Sequence, residues 1–133
     1  MNEDIIQKLI NKYHYWDMRV KSINCCYFSD EVTLVYNDGE YEVVYRFVGC
    51  YKVVFEHAKN YEKFSAVRDM TIAQTPYFLQ DVNVTSVFEE NESFYVTKLN
   101  IHPLYAEIWS KNIEVGRNDI CQEGVSIPNV LST

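Results

Sequence analysis

The sequence predicts an α+β domain in which one N-terminal helix packs on a strongly twisted, mainly antiparallel sheet of about six or seven strands, curled into a half-barrel or sandwich. Three observations carry that prediction. An apolar stripe at helical spacing opens the chain, period-two alternation fills most of its remaining length, and chain-breaking residues are scarce, with 4 Gly and 3 Pro in 133 residues. The aromatic content points the same way: 11 Tyr, 7 Phe and 2 Trp make up 15% of the chain, and these side chains suit a pleated, half-buried surface. The length suits one domain, with a helix over about 3–13, a β-rich core over about 16–116 and a weakly structured tail over about 117–133.

The helix is expected because Ile5, Ile6, Leu9, Ile10 and Tyr13 share one face, while Glu3 and Asp4 stand where the positive end of a helix dipole favours acids. The period then changes to two. Trp16, Met18 and Val20 are apolar at even positions but Ile23, Cys25 and Tyr27 at odd ones, so a β-bulge is expected near Lys21-Ser22. Asp38-Gly39 lies between two alternating runs and predicts a type I′ hairpin with Tyr36 opposite Tyr41 and Asn37 opposite Glu40. One face of that hairpin carries Val32, Leu34, Tyr36, Tyr41, Val43, Tyr45 and Phe47; the other carries Thr33, Val35, Asn37, Glu40, Glu42, Val44 and Arg46.

Alternation runs on through Tyr51, Val53 and Phe55, which implies a strand of about 17 residues, with Gly49 marking a bend or bulge. Positions 58–74 lose the pattern and read as a long loop or short helical excursion. Residues 82–88 alternate again, and Glu89-Glu90-Asn91-Glu92-Ser93 forms an acidic turn into a second hairpin. His102-Pro103 breaks that run. Leu104, Ala106 and Ile108 then face one way with Tyr105, Glu107 and Trp109 opposite, and Ile113 with Val115 make a short final strand.

Charge narrows the function. Against 12 basic residues stand 19 acidic ones, a net charge of −7, and a chain this acidic is repelled by nucleic-acid phosphates. The same field speeds association with a basic protein. No basic leader with an apolar run opens the chain and no stretch has the roughly 18 apolar residues of a membrane span, so a cytosolic location is expected.

Sites of catalysis are hard to find. Cys25, Cys26, Cys50 and Cys121 lack C-x-x-C spacing, so neither a zinc site nor a redox motif is written, and all four read as free thiols. Cys25 and Cys26 are neighbours in a strand, which places one in the core and the other on the surface. His14, His57 and His102 have no metal-ligand spacing, and none accompanies a cysteine as its base. Asp17 beside Trp16 is expected to accept hydrogen bonds from local backbone amides rather than act as an acid or base. With no Gly-rich phosphate loop either, the expectation is no catalytic residue, no metal and no cofactor. What remains are exposed acids and tyrosines, residue types suited to a protein interface or to a pocket on a curled sheet.

The strings Tyr15-Trp16-Asp17-Met18-Arg19-Val20, Tyr27-Phe28-Ser29-Asp30-Glu31-Val32, Phe47-Val48-Gly49-Cys50-Tyr51, Gln74-Thr75-Pro76-Tyr77-Phe78-Leu79-Gln80 and Trp109-Ser110-Lys111-Asn112-Ile113 resemble a family of small Gram-positive bacterial proteins. Members of that family tend to be encoded beside polymorphic cell-surface toxins and count as immunity proteins or their orphan relatives. The resemblance implies a non-enzymatic binding protein that neutralises a toxin domain by occlusion, with no catalytic signature to transfer. On that reading Glu89, Glu90 and Glu92 are the expected contacts for a basic toxin domain. The alternative is a small-ligand binder whose concave face is lined by Tyr41, Tyr45 and Tyr51.

Overall fold

The computed structural model describes residues 3–59 and 66–119; Cys121 and the expected tail beyond Asp119 lie outside them. One helix, α1 (Glu3–Lys12), precedes seven strands: β1 (Met18–Cys26), β2 (Glu31–Asn37), β3 (Tyr41–His57), β4 (Phe78–Leu79), β5 (Asp81–Glu89), β6 (Glu92–Ile101) and β7 (Leu104–Asp119). Two short 3-10 turns, Val67–Asp69 and Ile72–Gln74, supply the helical excursion before β4. The strands form one antiparallel sheet in the order β4-β1-β2-β3-β7-β6-β5. Its two end members, β4 and β5, are joined in the chain through Gln80 alone, so the sheet bends round on itself.

The helix is narrower in its contacts than its apolar stripe suggests. Ile6 and Ile10 are buried, whereas Ile5 is exposed, because only one edge of the stripe meets β5 and β7. Gln7 ties the helix to the sheet edge. Its side-chain Nε2 donates to the Val82 carbonyl at 3.0 Å and its Oε1 accepts from the Val84 N–H at 2.8 Å, so the amide substitutes for a residue of a neighbouring strand. Gln7→Ala is expected to cost about 1–3 kcal/mol in a urea melt, the range for two neutral hydrogen bonds. Gln7→Glu removes the donor and sets a carboxylate against the Val82 carbonyl, and a variant as stable as the parent would refute the edge-sealing role.

β1 slips register between Val20 and Ser22, where the sequence pattern changes phase. The next hairpin departs from expectation. Its pairs are Tyr36 with Val43 and Asn37 with Glu42, so Gly39-Glu40 forms the loop and Tyr36 does not face Tyr41. The cause is local: Asp38 opposes Tyr41, and its Oδ1 accepts from the N–H groups of Glu40 (3.0 Å) and Tyr41 (2.8 Å). Gly39 takes the left-handed φ of 106° that a type II′ first position requires. A shift of two leaves every side chain on its expected face. Val32, Leu34, Tyr36, Val43, Tyr45 and Phe47 are all fully buried, each contributing on the order of 1.5–3 kcal/mol in apolar transfer.

The opposite face of this hairpin is also largely buried at Thr33, Val35, Glu42 and Val44. Lys21 reaches across β2 to pair with Glu42, Nζ to Oε2 being 2.8 Å.

β3 runs unbroken for 17 residues beside β7, which continues for 16. The short final strand expected around Ile113 and Val115 is therefore part of β7. Its buried positions switch from even (Ala106, Ile108, Ser110) to odd (Ile113), a phase change without a chain break. That change faces the bend in β3, where the register shifts between Cys50 and Lys52. Gly49 adopts φ 67° there, and a Cβ at this position would stand 3.1 Å from the Lys111 side chain.

Candidate functional site

The bend in β3 lies between two tight turns, and together they concentrate the exposed aromatic and acidic side chains. On one side is the β1–β2 turn, Tyr27 to Asp30, held against the bend by the Cys50 N–H donating to the Asp30 carbonyl at 2.9 Å. On the other is the β5–β6 turn, where Glu89 faces Glu92 and the loop is Glu90-Asn91. Glu90 (φ 51°) and Asn91 (φ 65°) are both left-handed, the requirement of a type I′ turn.

All three predicted acids, Glu89, Glu90 and Glu92, are exposed on this turn. Glu92 is paired with Lys111, which leaves Glu89 and Glu90 as the outward charges. Lys111 also sits 4.7 Å above the Phe94 ring. Next to it, Tyr51 stacks on Phe94 with centroids 5.0 Å apart and approaches Trp109 at 6.1 Å, while Lys52 Nζ lies 5.3 Å over the Trp109 ring. The indole N–H donates to Glu107 Oε2 at 2.7 Å, so only its ring face is offered to the cluster.

The tyrosines proposed to line a pocket do not meet. Tyr45 is fully buried, edge-on to Tyr36 at 5.7 Å, with the two hydroxyls 3.4 Å apart. Tyr41 lies under the Arg117 guanidinium at 3.8 Å. Tyr51 sits past the β3 bend and belongs to the Phe94–Trp109 cluster. A mostly apolar cavity of about 350 Å³ exists elsewhere, lined by Val20, Ile23, His57, Tyr77, Ile101 and Leu104. His57 Nε2 and the Tyr77 hydroxyl are 2.9 Å apart at its rim.

Cys25 is exposed and Cys26 half-buried; neither is the core residue expected, because the pair ends β1 beside the turn. Burial pushes the Cys50 thiol up to about 11, with the Asp30 carboxylate adding to the effect, so it is a protonated thiol at neutral pH. Asp17 is exposed at φ 65° and accepts from the Gln80 side chain at 3.4 Å rather than from backbone amides. His102 sits 3.3 Å from the Tyr105 hydroxyl. Among the described residues no three His, Cys, Asp or Glu side chains gather as metal ligands, and no helix is long and apolar enough to cross a membrane.

The β1–β2 turn is what sequence reasoning missed. Tyr27, Phe28 and Ser29 all have left-handed φ (53°, 57° and 69°), and the Phe28 side chain is as exposed as in an extended chain, at 108%. No Gly or Asn marks the turn, so the available signal was Ser29-Asp30 following two adjacent aromatics between the strands.

Comparison with known families finds a match to the family described as Immunity protein PIM7 over residues 2–117. No curated protein matches the chain. The matched span takes in α1, both turns and β7 almost to its end, so the acidic and aromatic rim belongs to the shared unit. The chain is a member of the PIM7 immunity protein family.

Proposed function

We propose that this protein is a non-enzymatic, cytosolic immunity protein that neutralises a basic toxin domain by covering its working surface. The observation that carries the reading is the family match over residues 2–117. The exposed Glu89-Glu90 turn and the net charge of −7 support a basic partner. Occlusion needs no chemistry from the inhibitor, only a rigid surface, and an antiparallel sheet backed by a hydrophobic core is consistent with one. Glu89, Glu90 and Glu92 are the acids that steer approach.

The test is binding to the toxin domain encoded beside this gene, scored together with rescue of cells that express it. Replacing all three acids with lysine is expected to slow association by about tenfold at low salt and to flatten its salt dependence, with a much smaller change in dissociation. Unchanged association kinetics would remove these residues from the interface. The cavity beside His57 and Tyr77 supports a second reading as a small-ligand site. A thermal-shift screen separates the two, since stabilisation by a small molecule points to the cavity and stabilisation by the toxin alone to immunity.

A further inference from the structure

We propose that Phe28, at the tip of the β1–β2 turn, is the apolar anchor of the toxin interface and inserts into a socket on the toxin that is ringed by basic residues. The inference rests on the immunity reading and adds to it a second, separable contact.

Three observations meet at this turn. First, the ring of Phe28 is wholly exposed and touches nothing that would stabilise the fold, and Tyr27 beside it is also exposed. Second, Tyr27, Phe28 and Ser29 are held left-handed one after another, a conformation that side chains with a Cβ disfavour and that Gly or Asn would adopt with less strain. Phe28 therefore adds neither packing nor turn propensity to the fold, and its place is explained by an external contact. Third, the turn is anchored through the Asp30–Cys50 hydrogen bond to the bend in β3, the bend whose next residue, Tyr51, is another exposed aromatic. Clustered aromatics at the centre of a contact, with charges around them, are the usual make-up of an interface hot spot.

Charge identifies the partner. Asp30 and Glu31 adjoin the aromatic tip, and Glu89 and Glu90 stand across the β3–β7 ladder. The two lysines nearby are engaged, Lys52 over Trp109 and Lys111 with Glu92 and Phe94. A surface of this sign accepts a basic protein face and repels a second copy of this acidic chain.

The acids and the aromatics then divide the kinetics: the first set the rate of encounter, the second the residence time. Phe28→Asn is expected to raise the dissociation rate from the neighbouring toxin domain by about tenfold or more while leaving association nearly unchanged. Its melting temperature should hold or rise, because Asn tolerates the left-handed turn better than Phe. Phe28→Tyr keeps the ring and should dissociate close to the parent rate. A parent-like dissociation rate for Phe28→Asn, or a fall in melting temperature that accounts for lost binding, would overturn the anchor and leave the immunity reading in place. Size-exclusion of the parent chain as a dimer that Phe28→Asn disperses would overturn it too. Failure of the parent protein to bind the toxin or rescue cells would instead remove the immunity reading itself.

Discussion

Tyr45→Ala is expected to remove about 3–5 kcal/mol of stability, enough to leave a domain of this size largely unfolded at 37 °C. Tyr45 is fully buried in the middle of β3, opposite Leu34 on one side and Val115 on the other. Its ring meets Tyr36 edge-on, so truncation opens a cavity and also strips Tyr36 of both an aromatic neighbour and a hydrogen-bond partner. Tyr45→Phe separates the two losses. It preserves the ring and leaves the buried Tyr36 hydroxyl without that partner, at a cost of about 1–3 kcal/mol. Urea melts of both variants give the comparison, and a Tyr45→Phe protein as stable as the parent would show that the hydroxyl pair contributes nothing.

The same pair makes the protein sensitive to base. Burial pushes the Tyr36 phenol up to about 12, with the Tyr45 hydrogen bond opposing, and burial next to Tyr36 drives Tyr45 higher still. A phenol whose folded value lies above its unfolded value near 10 stays neutral in the native state after the unfolded chain has begun to ionise. Stability is therefore complete below about pH 10 and falls as pH rises towards 12, at about 1.4 kcal/mol per pH unit for each such tyrosine. Over that window Tyr36 alone accounts for about 3 kcal/mol. Alkaline titration followed by circular dichroism should show cooperative unfolding, with the phenolate absorbance of these two tyrosines appearing only as the fold is lost. Smooth titration of every tyrosine near pH 10, with the native spectrum intact, would contradict the buried pair.

Asp38 is set the other way. Burial works against its charge, but the Glu40 and Tyr41 N–H groups and the Arg117 guanidinium outweigh it and hold the carboxyl below its usual range. Its contribution is present at neutral pH and is lost on acidification, so acid and base attack the same hairpin through different groups.

These features were not equally legible in the sequence. Side-chain alternation named the core face of β2 and β3 correctly, because burial depends on parity and the two-residue error at Gly39-Glu40 preserves it. The turn itself was misplaced since the Asp38 carboxylate, not backbone pairing, satisfies the Glu40 and Tyr41 amides. β7 was divided in two because its phase change at Ser110–Ile113 looks like a chain break until the bend in β3 is set beside it. The acidic turn was readable from composition alone. Phe28 is not, since a left-handed turn without Gly or Asn is marked only weakly by Ser29-Asp30, and Tyr51 falls with Phe94 rather than with Tyr41 and Tyr45 because the register shifts before Lys52.

The pairing of β3 with β7 also sets when this protein can exist during its own synthesis. Its pairs run from His57 with Leu104 to Tyr41 with Asp119, and β4 reaches back to Met18 and Arg19. Every one of these contacts closes a long loop, the arrangement that makes folding slow and late. The β2–β3 hairpin has all its own residues once Phe47 and Val48 have emerged, yet the β3 edge waits for a strand that ends at Asp119. The sheet is therefore complete only once the chain through Asp119 has left the ribosome, and a translation product truncated before β7 lacks the strand that joins its two halves.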